Sequence, residues 1–131
     1  DGAASNNCLD MFREMFLVTA LQKYREMDAA AFPAFDVLKM ACSGGALAMG
    51  LKDCDVLAAG KKADLEVIDL MQPNMQPLHN IAKNLVYAGT KQNVVMTMVD
   101  GKILYENGKF STVDAGEIYA RAEKLTREIC G

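Results

Sequence analysis

One histidine, four cysteines and seventeen acidic side chains are the groups in this 131-residue sequence that could hold a metal or move a proton. His79 stands alone in Pro77-Leu78-His79-Asn80, so a serine–histidine–aspartate grouping has no pattern to build on. It reads as a surface or hydrogen-bonding side chain. Cys8, Cys42, Cys54 and Cys130 lie far apart without a Cys-x-x-Cys pair, which predicts reduced structural thiols. Gly44-Gly45 lacks the Gly-x-Gly-x-x-Gly pattern after a strand that would cradle a phosphate, and close helix–helix approach is the expected use of the pair. In Gly60-Lys61-Lys62-Ala63-Asp64 two lysines lead into an aspartate. No helix follows to offer its positive end, so a solvated turn is expected rather than an anion site. Most carboxylates fall on helix faces or at turns. Composition and spacing alone give a soluble α+β domain with no complete active site.

The elements that would position these groups follow from periodicity and turn chemistry. Asp1 to Asn7 is small and polar, hence a loop. Asn7 is the expected N-cap of a helix reaching about Met27, with Asp10 in its first turn. The apolar positions Leu9, Phe12, Phe16, Ala20 and Leu21 recur at helical spacing, widened by Met15, Leu17 and Tyr24. After an alanine-rich connection with Pro33, a second helix is expected from Asp36 to Cys42, capped by Asp36 and interrupted at Ser43-Gly44-Gly45. A short turn then ends at Gly50. Val56–Ala58 suggests a short strand, and Asp64–Leu70 a longer one with one end buried on both faces. Pro73 and Pro77 mark a loop, and Ile81–Tyr87 a short helix. Val94–Val99 and Lys102–Glu106 read as a hairpin around Asp100-Gly101, with Asn107-Gly108 as a second turn. Asp114, with Glu117 three residues on, starts a last helix with Ile118, Ala122, Leu125 and Ile129 on one face.

A formal charge of −3 gives no basic footprint for nucleic acid and no polybasic patch for a membrane surface. No apolar run reaches membrane-spanning length. With no leader and no glycosylation sequon, a cytoplasmic protein is expected. The opening Asp1-Gly2-Ala3-Ala4, without an initiator methionine, suggests a piece of a longer polypeptide.

Four segments together resemble the C-terminal part of a metal-dependent amidohydrolase, on the branch of nucleoside and aminopurine deaminases and chlorohydrolases. Asp1-Gly2-Ala3-Ala4-Ser5-Asn6-Asn7, with Leu9-Asp10-Met11-Phe12 and Glu14-Met15, is similar to the segment after the eighth barrel strand. Gly44-Gly45-Ala46-Leu47-Ala48-Met49-Gly50-Leu51 resembles the small-residue turn before the second domain. Gly60-Lys61-Lys62-Ala63-Asp64-Leu65 with Asp69 is similar to the family's most recognisable C-terminal signature. Asn84-Leu85-Val86-Tyr87, Val94 and Val99-Asp100-Gly101-Lys102 complete the order.

That resemblance implies a fold that periodicity does not reveal. Residues 1–52 would end a (β/α)8 barrel, 53–112 would form the C-terminal half of a composite β-sandwich, and 113–131 a closing helix. It also implies that Asp1 binds a metal, zinc or another divalent ion, and takes a proton from the metal-bound water. The family's His-x-His pair, two later histidines and catalytic glutamate have no counterpart here, and His79 matches none of them. The chain by itself is therefore expected to be inactive and to bind no metal stably. Its parent would act on a small-molecule substrate, with no nucleic-acid or membrane partner. The wide apolar face of the first helix predicts self-association or a homo-oligomer. Two other functions fit the same residues: a non-enzymatic β-rich assembly module, or an amidohydrolase acting on guanine or a chlorinated triazine.

Overall fold

The computed structural model describes residues 2–131: a helical first half, a four-stranded antiparallel sheet and a final helix. Helix α1 (Met11–Glu26) starts at Asp10, whose carboxylate accepts the N–H groups of Phe12 and Arg13. Asn7, the expected cap, lies before it. The helix closes at Met27 in the left-handed conformation, φ 51°. Phe12, Met15 and Thr19 are its buried residues, a narrower stripe than the sequence suggests. Phe16 and Leu21 face solvent, because α2 and α4 pack against one side of α1 alone.

Helix α2 (Ala34–Lys39) begins after Pro33, whose fixed φ suits a helix start, while Asp36 sits within the first turn rather than at the cap. Ser43-Gly44-Gly45 does not interrupt the chain's helical course. A π-helical turn (Met40–Gly44) carries it directly into α3 (Gly45–Ala48). A Cβ added at Gly44 would meet only its own helix, with the Met40 side chain at 3.6 Å, so no neighbouring helix requires the glycine. Close approach occurs elsewhere: a Cβ at Gly89 would fall 2.5 Å from the Leu85 carbonyl oxygen and 2.7 Å from the Phe12 ring.

The expected strand at Val56–Ala58 is absent among the described residues. Strand β1 is the shorter Leu65–Ile68, and its residues are at most half-buried. It pairs with β2 (Val94–Val99), which pairs with β3 (Lys102–Glu106) and then β4 (Lys109–Phe110), all antiparallel. Asp100 and Gly101 have φ 50° and 76°, and Asn107 and Gly108 have 47° and 84°. Both are the left-handed turns that match strand twist, as their sequences predict. Ladder shifts at Val67/Ile68 and at Thr97/Met98 mark bulges. After the first of them, Ile68 and Val94 reach the helical core of Phe12, Met15, Ala34, Val37 and Val86.

Helix α4 (Ile81–Tyr87) is capped by Asn80, which accepts the Lys83 N–H. The last helix, α5 (Ala115–Cys130), is capped by Asp114 on the Glu117 N–H at 3.0 Å, as expected. None of its residues is buried; its apolar face, with Ile118, Leu125 and Ile129, lies open. The whole chain exposes 9598 Å² of surface. A compact monomer of 14.2 kDa would expose about 6,800 Å². The helical core and the sheet therefore form an open arrangement. No described helix is long and apolar enough to cross a membrane.

Candidate functional site

Asp1, the one residue the sequence resemblance places at a metal, lies outside the described residues. The turn that follows it is well defined. The Ser5 and Asn6 N–H groups both donate to the Gly2 carbonyl, at 3.1 and 2.9 Å. Asn6 then bridges outward: its Nδ2 donates to Glu14 Oε1 at 2.8 Å, and its Oδ1 accepts the Cys8 N–H at 3.2 Å. Glu14 sits on α1, which Thr19 ties to its neighbours through the Phe32 carbonyl and the Tyr87 hydroxyl, each at 3.2 Å. The Arg13 guanidinium is pushed up by the hydrogen bond it donates to Cys8.

The lysine-rich segment before β1 works as a clasp. Lys61 Nζ reaches the Lys52 carbonyl and, at 2.7 Å, Asp55 Oδ1. Ser43 Oγ donates to the Asp55 carbonyl at 2.9 Å, fastening this loop to the π-helical turn. Asp64 Oδ1 accepts the Asp100 N–H at 2.6 Å, the Gly101 N–H meets the Ala63 carbonyl at 3.1 Å, and Lys62 pairs with Asp100 at 3.3 Å. The Lys61 hydrogen bond holds the Asp55 carboxyl below its usual range, and the Asp100 N–H does the same for Asp64. Lys61 is half-buried rather than the freely solvated side chain expected of this turn. Its two partners lie six and nine residues back, in a loop with no periodic pattern to reveal them.

A third polar cluster escapes sequence reasoning altogether. Asn93 is fully buried; its Oδ1 accepts from the Thr90 N–H at 2.9 Å and from Asn74 at 2.8 Å. Its Nδ2 donates to Gln72 and Asn74, at 3.1 and 3.2 Å. Asn84 Nδ2 donates to the Met75 carbonyl at 2.8 Å. Together these amides set the loop between β1 and α4.

His79 is exposed in that loop, and the four cysteines are free thiols, as their spacing predicts. The Cys54 thiol is pushed up by its hydrogen bond to Asp64, and Cys42 by desolvation and then the Glu66 charge. Raised thiols carry little thiolate, so neither is an activated nucleophile. Among the described residues no three His, Cys, Asp or Glu side chains converge as a metal's donor set. A catalytic zinc takes three protein ligands. The described residues alone do not supply that set.

Comparison with known proteins places the whole chain in one context. The sequence pattern of the Amidohydrolase family matches residues 1–104. The chain is 46% identical over 127 residues to a 5-methylthioadenosine/S-adenosylhomocysteine deaminase of Nitratidesulfovibrio vulgaris, covering 97% of this chain and 29% of that protein. It is 51% identical over 114 residues to the enzyme of the same name from Desulfovibrio desulfuricans, covering 87% and 26%. Among solved structures, it is similar to a zinc-bound adenosine deaminase from Xanthomonas campestris, with TM-score 0.93 and 35% identity. That match covers 98% of this chain and 30% of the other. The chain thus spans under a third of the length of each of these three proteins.

Proposed function

Because the chain belongs to the amidohydrolase family, we propose that it is the C-terminal part of a metal-dependent deaminase acting on an aminopurine nucleoside or a related amino-substituted heterocycle. The observation that supports this reading best is the agreement of 98% of the chain with the zinc-bound adenosine deaminase. In this reading residues 1–52 end the barrel, 53–112 form the C-terminal half of a composite β-sandwich, and 113–131 a closing helix. The open surface and the uncovered α5 accord with such a part.

Asp1 is the residue of this chain that we assign to catalysis. Its carboxylate would help hold the parent's divalent metal and would serve there as proton acceptor for the attacking water and proton donor to the leaving amine. A divalent metal supplies Lewis-acid charge when bound. No further donor is assigned to the described residues, and the chain alone is inactive in this reading.

The test is ammonia release from 5-methylthioadenosine, S-adenosylhomocysteine and adenosine by the full-length protein that carries this sequence. Turnover that a chelator abolishes and added zinc restores is the expected result. Turnover that survives metal removal, or none on any aminopurine, would overturn the reading.

A further inference from the structure

We infer that Asn6 and Glu14 are a positioning pair that sets the backbone leading into Asp1, an inference that rests on the deaminase reading above. The Gly2 carbonyl, gripped by the Ser5 and Asn6 N–H groups, belongs to the residue next in sequence to Asp1. Gly2, Ala3, Ala4 and Ser5 are all exposed, so no buried apolar side chain anchors this turn to the core. Asn6 Nδ2 ties it to α1 through a 2.8 Å hydrogen bond to Glu14 Oε1. An ionised acceptor makes such a bond shorter and stronger than a neutral pair.

Neither side chain is needed for capping. Asp10 already accepts the first free N–H groups of α1. Asn6 instead uses both ends of its amide, one toward Glu14 and one toward the Cys8 N–H, so the turn is held on two sides. Glu14 follows directly before Met15, which is buried in the helical core with Phe12. A continuous path therefore runs from packed core to Glu14, to Asn6 and to the Gly2 carbonyl. A carboxylate that must meet a water and a leaving group within a fraction of an ångström needs a support of this kind.

The experiment uses the full-length protein with Asn6→Asp, and with Asn6→Asp and Glu14→Gln together. The single change sets two carboxylates against each other; the double change restores one donor facing one acceptor with the direction reversed. For the single variant we expect kcat to fall about 10-fold or more with KM within about twofold, since misplacement of a reacting group costs rate rather than binding. The double variant should recover kcat to within about threefold of wild type. A single variant with wild-type kcat, an equal loss through KM, or a double variant no better than the single would overturn the inference. Amide exchange at Ser5 and Asn6 gives a substrate-free reading of the same variants. Protection lost in the single and regained in the double supports the pair even if wild type releases no ammonia, an outcome that would sink the deaminase reading alone. Unchanged protection would sink the pair.

Discussion

Asp64 accepts the Asp100 backbone N–H at 2.6 Å, joining the entry of β1 to the turn between β2 and β3 across 36 residues of sequence. Asp64 thus holds the sheet together at this turn. Because that N–H, then Cys54 and Lys62, favour the charged form, the folded-state pKa of Asp64 is lowered. A lowered carboxyl contributes stability above its unfolded value of about 3.9, and that contribution is lost as pH falls through the folded value. Asp64→Asn keeps an acceptor but removes the charge. The variant should be less stable than wild type at neutral pH, and the gap should close as pH falls through the folded-state value, where both side chains become uncharged. Thermal melts of the full-length protein across that range check it; a gap independent of pH would contradict it.

Asn93→Ala removes the centre of the buried amide cluster. Half-buried Thr90 and Gln72 and the exposed Asn74 each lose a partner. A loss of about 1–3 kcal/mol is expected, from the hydrogen bonds removed and the cavity left where the fully buried Asn93 side chain stood. A lowered urea midpoint with an unchanged slope is the measurement.

Gly89→Ala tests the closest backbone approach in the helical core. The added methyl would overlap both the Leu85 carbonyl and the Phe12 ring. Overpacking of this kind costs about 1–3 kcal/mol. Gly44→Ala, with only its own helix nearby, should be better tolerated. Equal melting temperatures for the two variants would refute the contrast.

The chain expressed alone should self-associate. Ile118, Leu125 and Ile129 on α5, and Phe16 and Leu21 on α1, lie exposed. The total surface is well above the roughly 6,800 Å² of a compact monomer this size. Light scattering on dilute chain should find particles larger than a monomer. A cooperative monomer that binds no hydrophobic dye would favour a self-contained assembly module.

Sequence reasoning reached the elements whose signals are local. The turns at Asp100-Gly101 and Asn107-Gly108, the Asp114 cap and the Ile81–Tyr87 helix are written in adjacent residues, and the structure has them all. Where neighbours decide, the sequence misled. Asn7 is the cap the sequence suggests for α1, yet Asp10, expected inside the first turn, holds that role. Gly44-Gly45 has the composition of a break, yet one wide turn absorbs it. The partners of Lys61 lie in an irregular loop just before it, and those of Asn93 include Gln72 and Asn74 about twenty residues back, which no periodic pattern records. The candidate site was legible only through resemblance, since its assigned residue, Asp1, lies outside the described residues.

The central claim is that this chain supplies one catalytic carboxylate to a larger metal-dependent deaminase. Ammonia release from 5-methylthioadenosine, measured side by side for the full-length protein, its Asp1→Asn variant and the isolated chain with added zinc, tests it most directly. The full-length protein should turn over, the variant should lose about 10²-fold or more as a missing proton acceptor dictates, and the isolated chain should match the blank. An Asp1→Asn variant within threefold of wild type, or metal-dependent turnover by the isolated chain, would contradict it.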